Sequence, residues 1–272
     1  MKSSKRTSVS LNNSTVDIAP PVEFWLWSKP FWLAVSLTVV VFSLLVKLGF
    51  WQLGRGLEKQ ALEVAIQARA LEHYHQLRTI IDHNDWRVES IIGLKVSADV
   101  KPEPLPLILL DNQVYGKQVG YLAYQVVSLA EEPNVLFLLE LGFVQGGKKR
   151  NQLPEIKAIT QPVSITGRLY RKSTNPLSSD LLPELGNPVR IQNLNIYQLS
   201  ELLSVELMPT VLQPDNLTDW SQPFPWAPLP MTSAKHFAYA FQWFAMAVVF
   251  AAVSLLVGVK WIYTRIKQEE SA

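Results

Sequence analysis

Two long apolar runs without a charge stand near the ends of the chain, at residues 31–46 and 237–259. A bilayer core takes roughly 20 helical residues. The first run reaches that length over 31–53 if Lys47 is included, its ammonium snorkelling along its own stem to the interface. The pattern therefore predicts transmembrane helices over 31–53 and 236–259. The first is too long for the apolar region of a signal peptide. No small-x-small cleavage site follows it, because Gly49-Phe50-Trp51 is bulky, so an uncleaved anchor is expected.

The pattern changes between the runs. Leu57, Ala61, Val64, Ala68 and Leu71 recur at spacings of four and three, one face of an amphipathic helix. The helix is expected to span 54–81 and to break at Asp82-His83-Asn84-Asp85. Beyond it the period drops to two. Ile92, Leu94, Val96 and Ala98 alternate with Gly93, Lys95 and Ser97, and 107–110, 121–129, 135–144, 163–170 and 189–196 also read as strands. The proline-rich stretch 101–106 is expected to be a loop, Asp111-Asn112 a turn, Glu131-Glu132-Pro133-Asn134 a hairpin turn, and 199–207 a short helix. Residues 215–230, with four prolines among Trp220, Phe224 and Trp226, read as a stiff strap along the membrane surface. Residues 1–30 read as a disordered cytoplasmic tail ending in an interfacial collar of Trp25, Trp27 and Trp32, and 260–272 as a second cytoplasmic tail. The expected fold is an α+β membrane protein, with two antiparallel transmembrane helices flanking one largely antiparallel β domain over 54–235.

Charge decides the expected topology. Lys260, Arg265 and Lys267 follow the second run against Lys235 before it. By the positive-inside rule both termini are cytoplasmic and the central domain is periplasmic, as in a bacterial inner-membrane protein. A net charge of +2 argues against nucleic acid as a partner. The absence of cysteine excludes thiol-based copper delivery, CxxCH haem attachment, disulfide exchange and thiolate zinc sites.

The two membrane boundaries carry motifs. Leu48-Gly49-Phe50-Trp51-Gln52-Leu53-Gly54-Arg55 through Lys59 resembles the LGxWQLxRxxxK signature of the Surf1/Shy1 family. The segment His236-Phe237-Ala238-Tyr239-Ala240-Phe241-Gln242-Trp243-Phe244 resembles that family's HxxYAxQWF. The resemblance covers about residues 30–260, and Gly120-Tyr121 resembles the family's GY before a strand. The stretch Leu139-Glu140-Leu141-Gly142-Phe143-Val144 departs from a VNRGWV-like core, lacking its Asn-Arg pair and its Trp. The resemblance implies a non-enzymatic assembly factor for cytochrome oxidase that assists insertion of haem a into the catalytic subunit. The catalytic subunit and the haem a synthesis enzyme are the implied partners, beside the lipid bilayer. The alternative is a membrane scaffold that holds those partners without binding a cofactor.

His236, Tyr239 and Trp243 share one helix face. On one reading His236 is an axial haem ligand with the rings stacked on the macrocycle. On the other it is an interfacial anchor within an aromatic belt. Lys47, Trp51, Arg55 and Glu58 form a stripe that climbs out of the membrane. In it Arg55 serves either a haem propionate or a surface pair with Glu58. Gln242 is expected to pair across the helices with Gln52 or with the indole N–H of Trp51, an interaction worth about 0.6–2 kcal/mol. The segment from Gly142 to Lys149 almost spells a phosphate-binding loop, but Lys149 replaces the hydroxyl residue and no helix pattern follows; a basic β-turn is expected. His73, His75 and His83 do not share a helix face and are read as surface residues. No catalytic residues and no metal site are expected.

Overall fold

The computed structural model describes residues 10–11, 14–15, 29–82, 88–147, 152–171, 179–217 and 220–270. The chain divides into two compact units. Met1–Lys59 with Thr232–Ala272 form one, and Gln60–Met231 form the other.

The first unit is a helical hairpin. Helix α1 spans Lys29–Ala70, with its residues up to Lys59 in this unit, and its partner is the helix Ser233–Glu270 near the C-terminus. At 1.5 Å per residue, the 42 residues of α1 extend about 63 Å, well beyond a hydrocarbon core of about 30 Å. Both helices are long and apolar enough to cross a membrane, and almost none of their most apolar stretch is buried within the protein. Leu33, Leu37, Val40 and Leu44 on one helix and Val253 and Leu256 on the other are all exposed. Water does not tolerate apolar surface on that scale, and lipid does. Two residue pairs mark the register. Phe31 stacks on Trp261 with ring centres 5.9 Å apart, and Gly56 meets Phe237 at the other end. The collar residues Trp25 and Trp27 lie outside the described residues, as does most of the tail expected to be disordered. Within the tail, β1 (Ser10–Leu11) and β2 (Ser14–Thr15) pair antiparallel, a ladder that no sequence alternation announces.

In the second unit α1 ends at Ala70, and the continuous helix expected to 81 does not form. The chain leaves the helix because its backbone is used elsewhere. Strand β3 (His75–Gln76) pairs in parallel with Val96–Ser97, and a separate short helix, α2 (Leu77–Ile81), follows. His83, Asn84 and Asp85 lie outside the described residues. After α3 (Val88–Ile91) come β4 (Lys95–Pro102), β5 (Ile108–Tyr115), β6 (Gln118–Leu129), β7 (Leu136–Gln145), β8 (Val163–Tyr170), β9 (Val189–Ile191), α4 (Ile196–Leu203) and β10 (Leu207–Pro214); the C-terminal helix is α5.

The sheet closes on itself. Strands β4, β8, β10, β7 and β6 pair in that order, and the last three residues of β6 return to β4. The ring is antiparallel except where β10 runs parallel to β7. Val96, Val100, Val127, Phe137, Leu139, Ile165, Leu169 and Leu212, which come from all five ring strands, form one buried cluster and fill the barrel. A second cluster (Leu122, Tyr124, Val126, Leu138, Val211) packs on the other face beneath β5, β9 and α4. Strand β6 is therefore buried on both faces.

Several local expectations are corrected. Pro102 is not in a loop but closes β4 opposite Val127, a strand end where no further ladder donor is needed. Asp111-Asn112 is not a turn. It is a β-bulge in β5, with Asn112 at φ 56 and its amide taken by the Asp111 carboxylate. The turn comes later at Gly116, whose φ of 61 suits the first position of a two-residue hairpin. The expected strand at 189–196 stops at Ile191. The helix starts at Ile196, capped by Asn195, whose side chain accepts from the Gln198 amide. The helix ends at Leu203, and Leu207, its expected last residue, instead opens strand β10.

The strap at 220–231 has no regular element and lies on the barrel of its own unit. Gly142 sits in a bulge of β7 at φ +92, leaving the Phe143 amide without a ladder partner. The Pro223 carbonyl accepts it at 2.8 Å, and the Trp220 indole donates to the Leu141 carbonyl at 2.7 Å. Trp220 is thus tied to the barrel, and Trp226 lies against Tyr170 and Arg168 of β8. Lys148 and Lys149, expected in a basic turn, lie outside the described residues.

Candidate functional site

The first motif enters the hairpin through its small residues. Gly49, Gln52 and Gly56 lie at i, i+3 and i+7, one face of α1. A methyl group on Gly49 would stand 2.6 Å from the Phe244 ring, and one on Gly56 would stand 2.5 Å from the Phe237 ring. Glycine lets the helices approach closely at both points. Gly54, on nearly the opposite side of α1, meets nothing within 4 Å. Phe50 adds an edge contact to Phe244 at 5.2 Å. Both motifs thus form the contact surface at one end of the hairpin.

Between the two glycines, His236 Nδ1 lies 2.8 Å from Gln52 Oε1. An amide oxygen only accepts, so Nδ1 carries the proton and Nε2 keeps its lone pair. His236 is 8 % exposed. A carbonyl partner of this kind fixes the tautomer and orientation of a ligating imidazole.

The expected residues are distributed as follows. His236 and Gln52 meet directly. Gln242 does not serve as the partner of Gln52; it is exposed, and on a 3.6-residue helix it points away from the face of His236, Ala240 and Phe244 that meets α1. Trp51 is 57 % exposed, Tyr239 is 46 % exposed, and Trp243 is half-buried. Arg55 pairs with Glu58 at 2.6 Å, both exposed. Lys47 is exposed on the apolar part of α1. His73 and His75 are exposed, with His75 3.7 Å from Glu72, and His83 lies outside the described residues. Among the described residues no group of His, Asp and Glu could hold a metal ion.

The domain contains a polar network that periodicity does not reveal. Glu140 is 1 % exposed within an apolar strand. It accepts from the Tyr170 hydroxyl and, at 3.0 Å, from Gln213 Nε2. Tyr170 spends its proton on Glu140, so the Tyr124 hydroxyl, 3.3 Å away, is the donor to Tyr170. Burial, then the neighbouring charge of Glu140, pushes the Tyr124 phenol well above its ordinary range; burial first and then the neighbouring Tyr124 and Glu140 do the same to Tyr170. The sequence signal was a single carboxylate in the run Leu136–Gln145, a position that must find donors if buried.

Comparison with known proteins agrees with the two-motif geometry. The model of the SURF1 family matches residues 39–248, which takes in both motifs and the whole barrel. No curated protein matches the chain. Proteins of this family are non-enzymatic assembly factors of cytochrome oxidase. With most of its length matched and both motifs joined at one end of the helical hairpin, the chain belongs to the SURF1 family.

Proposed function

We propose that this protein assists delivery of haem a to the catalytic subunit of cytochrome oxidase, holding the haem transiently at the end of its helical hairpin. The observation that carries this reading is the hydrogen bond between His236 Nδ1 and Gln52 Oε1. It leaves Nε2 as a Lewis base, the donor a haem iron takes from a protein. His236 would hold the iron, Tyr239, Trp243 and Trp51 would face the macrocycle, and Arg55 would release Glu58 to take a propionate. The haem itself supplies the redox centre of the oxidase. The chain's own residues would bind and orient it, and they would catalyse no covalent change in the haem. The positive charges Lys260, Arg265 and Lys267 in the C-terminal part of α5, beyond its apolar run, support a bacterial inner-membrane topology with both termini cytoplasmic and the barrel periplasmic.

A second reading, a scaffold that grips the oxidase subunit or the haem a synthesis enzyme without a cofactor, draws on Gln242. Its amide is exposed on a membrane helix and turned away from α1, where hydrocarbon offers no hydrogen bond and a partner helix does. Visible absorption of detergent-purified protein from a haem-a-producing cell separates the two. A Soret band lost in His236→Ala is the expected result. Protein without a Soret band, its spectrum the same in His236→Ala, would leave the scaffold.

A further inference from the structure

The outer face of the barrel carries a row of side chains from three adjacent strands. Antiparallel register sets Lys95 of β4 opposite Arg168 of β8, and Arg168 opposite Gln213 of β10. Like charges placed directly opposite on neighbouring strands repel each other. Neither cation forms an ion pair among the described residues. Each rests on an aromatic ring, Lys95 Nζ 4.3 Å from the centre of Tyr74 and the Arg168 guanidinium 3.6 Å from that of Trp226.

The nearby acids are already engaged. Asp215 accepts from Tyr74 at 2.6 Å and from Thr166 at 2.7 Å, and Glu140 is held by Tyr170 and Gln213. Arg168 is fixed from behind. Its Nε and Nη2 both donate to Gln213 Oε1, at 3.0 and 2.8 Å, while Gln213 Nε2 is tied to Glu140 and to the Pro225 carbonyl. The remaining nitrogen, Nη1, has no hydrogen-bond partner among the described residues. Burial lowers the pKa of Arg168, against the opposing pull of Asp215 and Glu140. A rigid, partly desolvated cation with an open edge thus stands beside a second cation.

Both open onto one cavity of about 440 Å³, whose wall also holds the Asp215 carboxylate, tied to Tyr74 and Thr166, and an apolar side of Ile66, Pro214 and Phe224. That volume lies in the range of small-molecule sites. We propose that this cavity binds a small organic anion, a carboxylate or phosphate ester on an apolar or aromatic body. The anionic head would lie between Lys95 and Arg168 and relieve their repulsion, with the body against Ile66 and Phe224. The site is independent of the haem reading, since it shares no residue with it.

The test uses the full chain in nanodiscs of zwitterionic phosphatidylcholine, with empty nanodiscs as the blank. Binding of 2-naphthoate, 2-naphthyl phosphate and uncharged 2-naphthamide is followed by saturation-transfer NMR. The expected result is that at least one anion binds about tenfold more tightly than the amide, and that Lys95→Gln removes about that factor. The tighter anion names the head group. Arg168→Gln should have a similar effect but also strips Gln213 and Trp226 of a partner. Lys95→Gln, whose side chain is half-exposed and whose melting curve should stay unchanged, is therefore the deciding variant. Equal binding of anion and amide, no binding of either anion, or full anion affinity in Lys95→Gln would each overturn the proposal.

Discussion

The Phe237 ring occupies the space that a methyl group on Gly56 would need, 2.5 Å from where that methyl would stand. No rotamer of alanine avoids the clash, so either the ring or the helix must move. Gly56→Ala, and likewise Gly49→Ala against Phe244, should cost about 1–3 kcal/mol of hairpin packing. The chain has no cysteine, so a pair introduced at Phe31 and Trp261 reports on the hairpin without background. Its cross-linking yield should fall in both glycine variants and stay unchanged in Gly54→Ala, whose methyl meets open space.

Gln52 should matter through His236 rather than through helix pairing in general. Gln52→Leu removes the acceptor at Nδ1 and frees the imidazole to exchange tautomers. Nitrogen-15 NMR of labelled histidine should show a single tautomer protonated at Nδ1 in the wild type and a mixture in Gln52→Leu. If haem is bound, its affinity should fall about tenfold in the same variant, the usual cost of losing such a partner. An unaltered histidine spectrum would remove Gln52 from the site.

These two residues show how far the sequence could be read. Motif positions and run lengths placed both glycines, Gln52 and His236 at adjoining membrane boundaries, because apolar length and helical spacing are local properties. Which polar group Gln52 would meet was not local. Gln242 and His236 both lie on α5, and the rotation of that helix about its axis, set by Phe237 and Phe244 seating over glycines, turns His236 inward and Gln242 outward. The barrel divides in the same way. The alternation in 163–170 and the turn at 131–134 identified β8 and the β6–β7 hairpin. By contrast, nothing in the sequence announces β10: Leu207 reads as the end of a helix, no alternation marks 208–214, and only pairing with β7 and β8 makes the segment a strand. The bulge at Asp111-Asn112 has the composition of a turn. Backbone pairing with Gly120 and Leu122 on either side keeps it inside a strand.

Alkaline pH should weaken the barrel. Tyr124 and Tyr170 both titrate above the ordinary 10.0 when folded and near it when unfolded. Their stabilising contribution is whole below pH 10.0 and is lost as the pH rises from there toward their folded values. Chemical denaturation of the full chain from pH about 8 to about 11, followed by near-ultraviolet circular dichroism, should show a decline confined to the upper end. Tyr124→Phe with Tyr170→Phe should flatten that decline, while costing about 1 kcal/mol for the bond between the two hydroxyls and about 1.5–3 kcal/mol for the bond to the buried Glu140 carboxylate at neutral pH.

Glu140→Leu should be more damaging than its apolar surroundings suggest. The new side chain suits the strand but leaves the Tyr170 hydroxyl and the Gln213 amide without their acceptor. Orphaned buried donors cost about 1–3 kcal/mol each, so a loss of about 3 kcal/mol in urea denaturation is expected. A neutral outcome would mean that water enters the network.

The parallel pairing of β10 with β7 bears on the order of synthesis. Gln213 and Glu140, which meet across those two strands, are 73 positions apart. A nascent chain that has emerged only as far as β8 has all the hairpins of the barrel but no closed ring, with β7 and β8 both presenting unpaired edges. Strand β10 arrives last, shortly before the second membrane helix. A truncation upstream of Leu207 should therefore yield an open, adhesive sheet rather than a smaller domain.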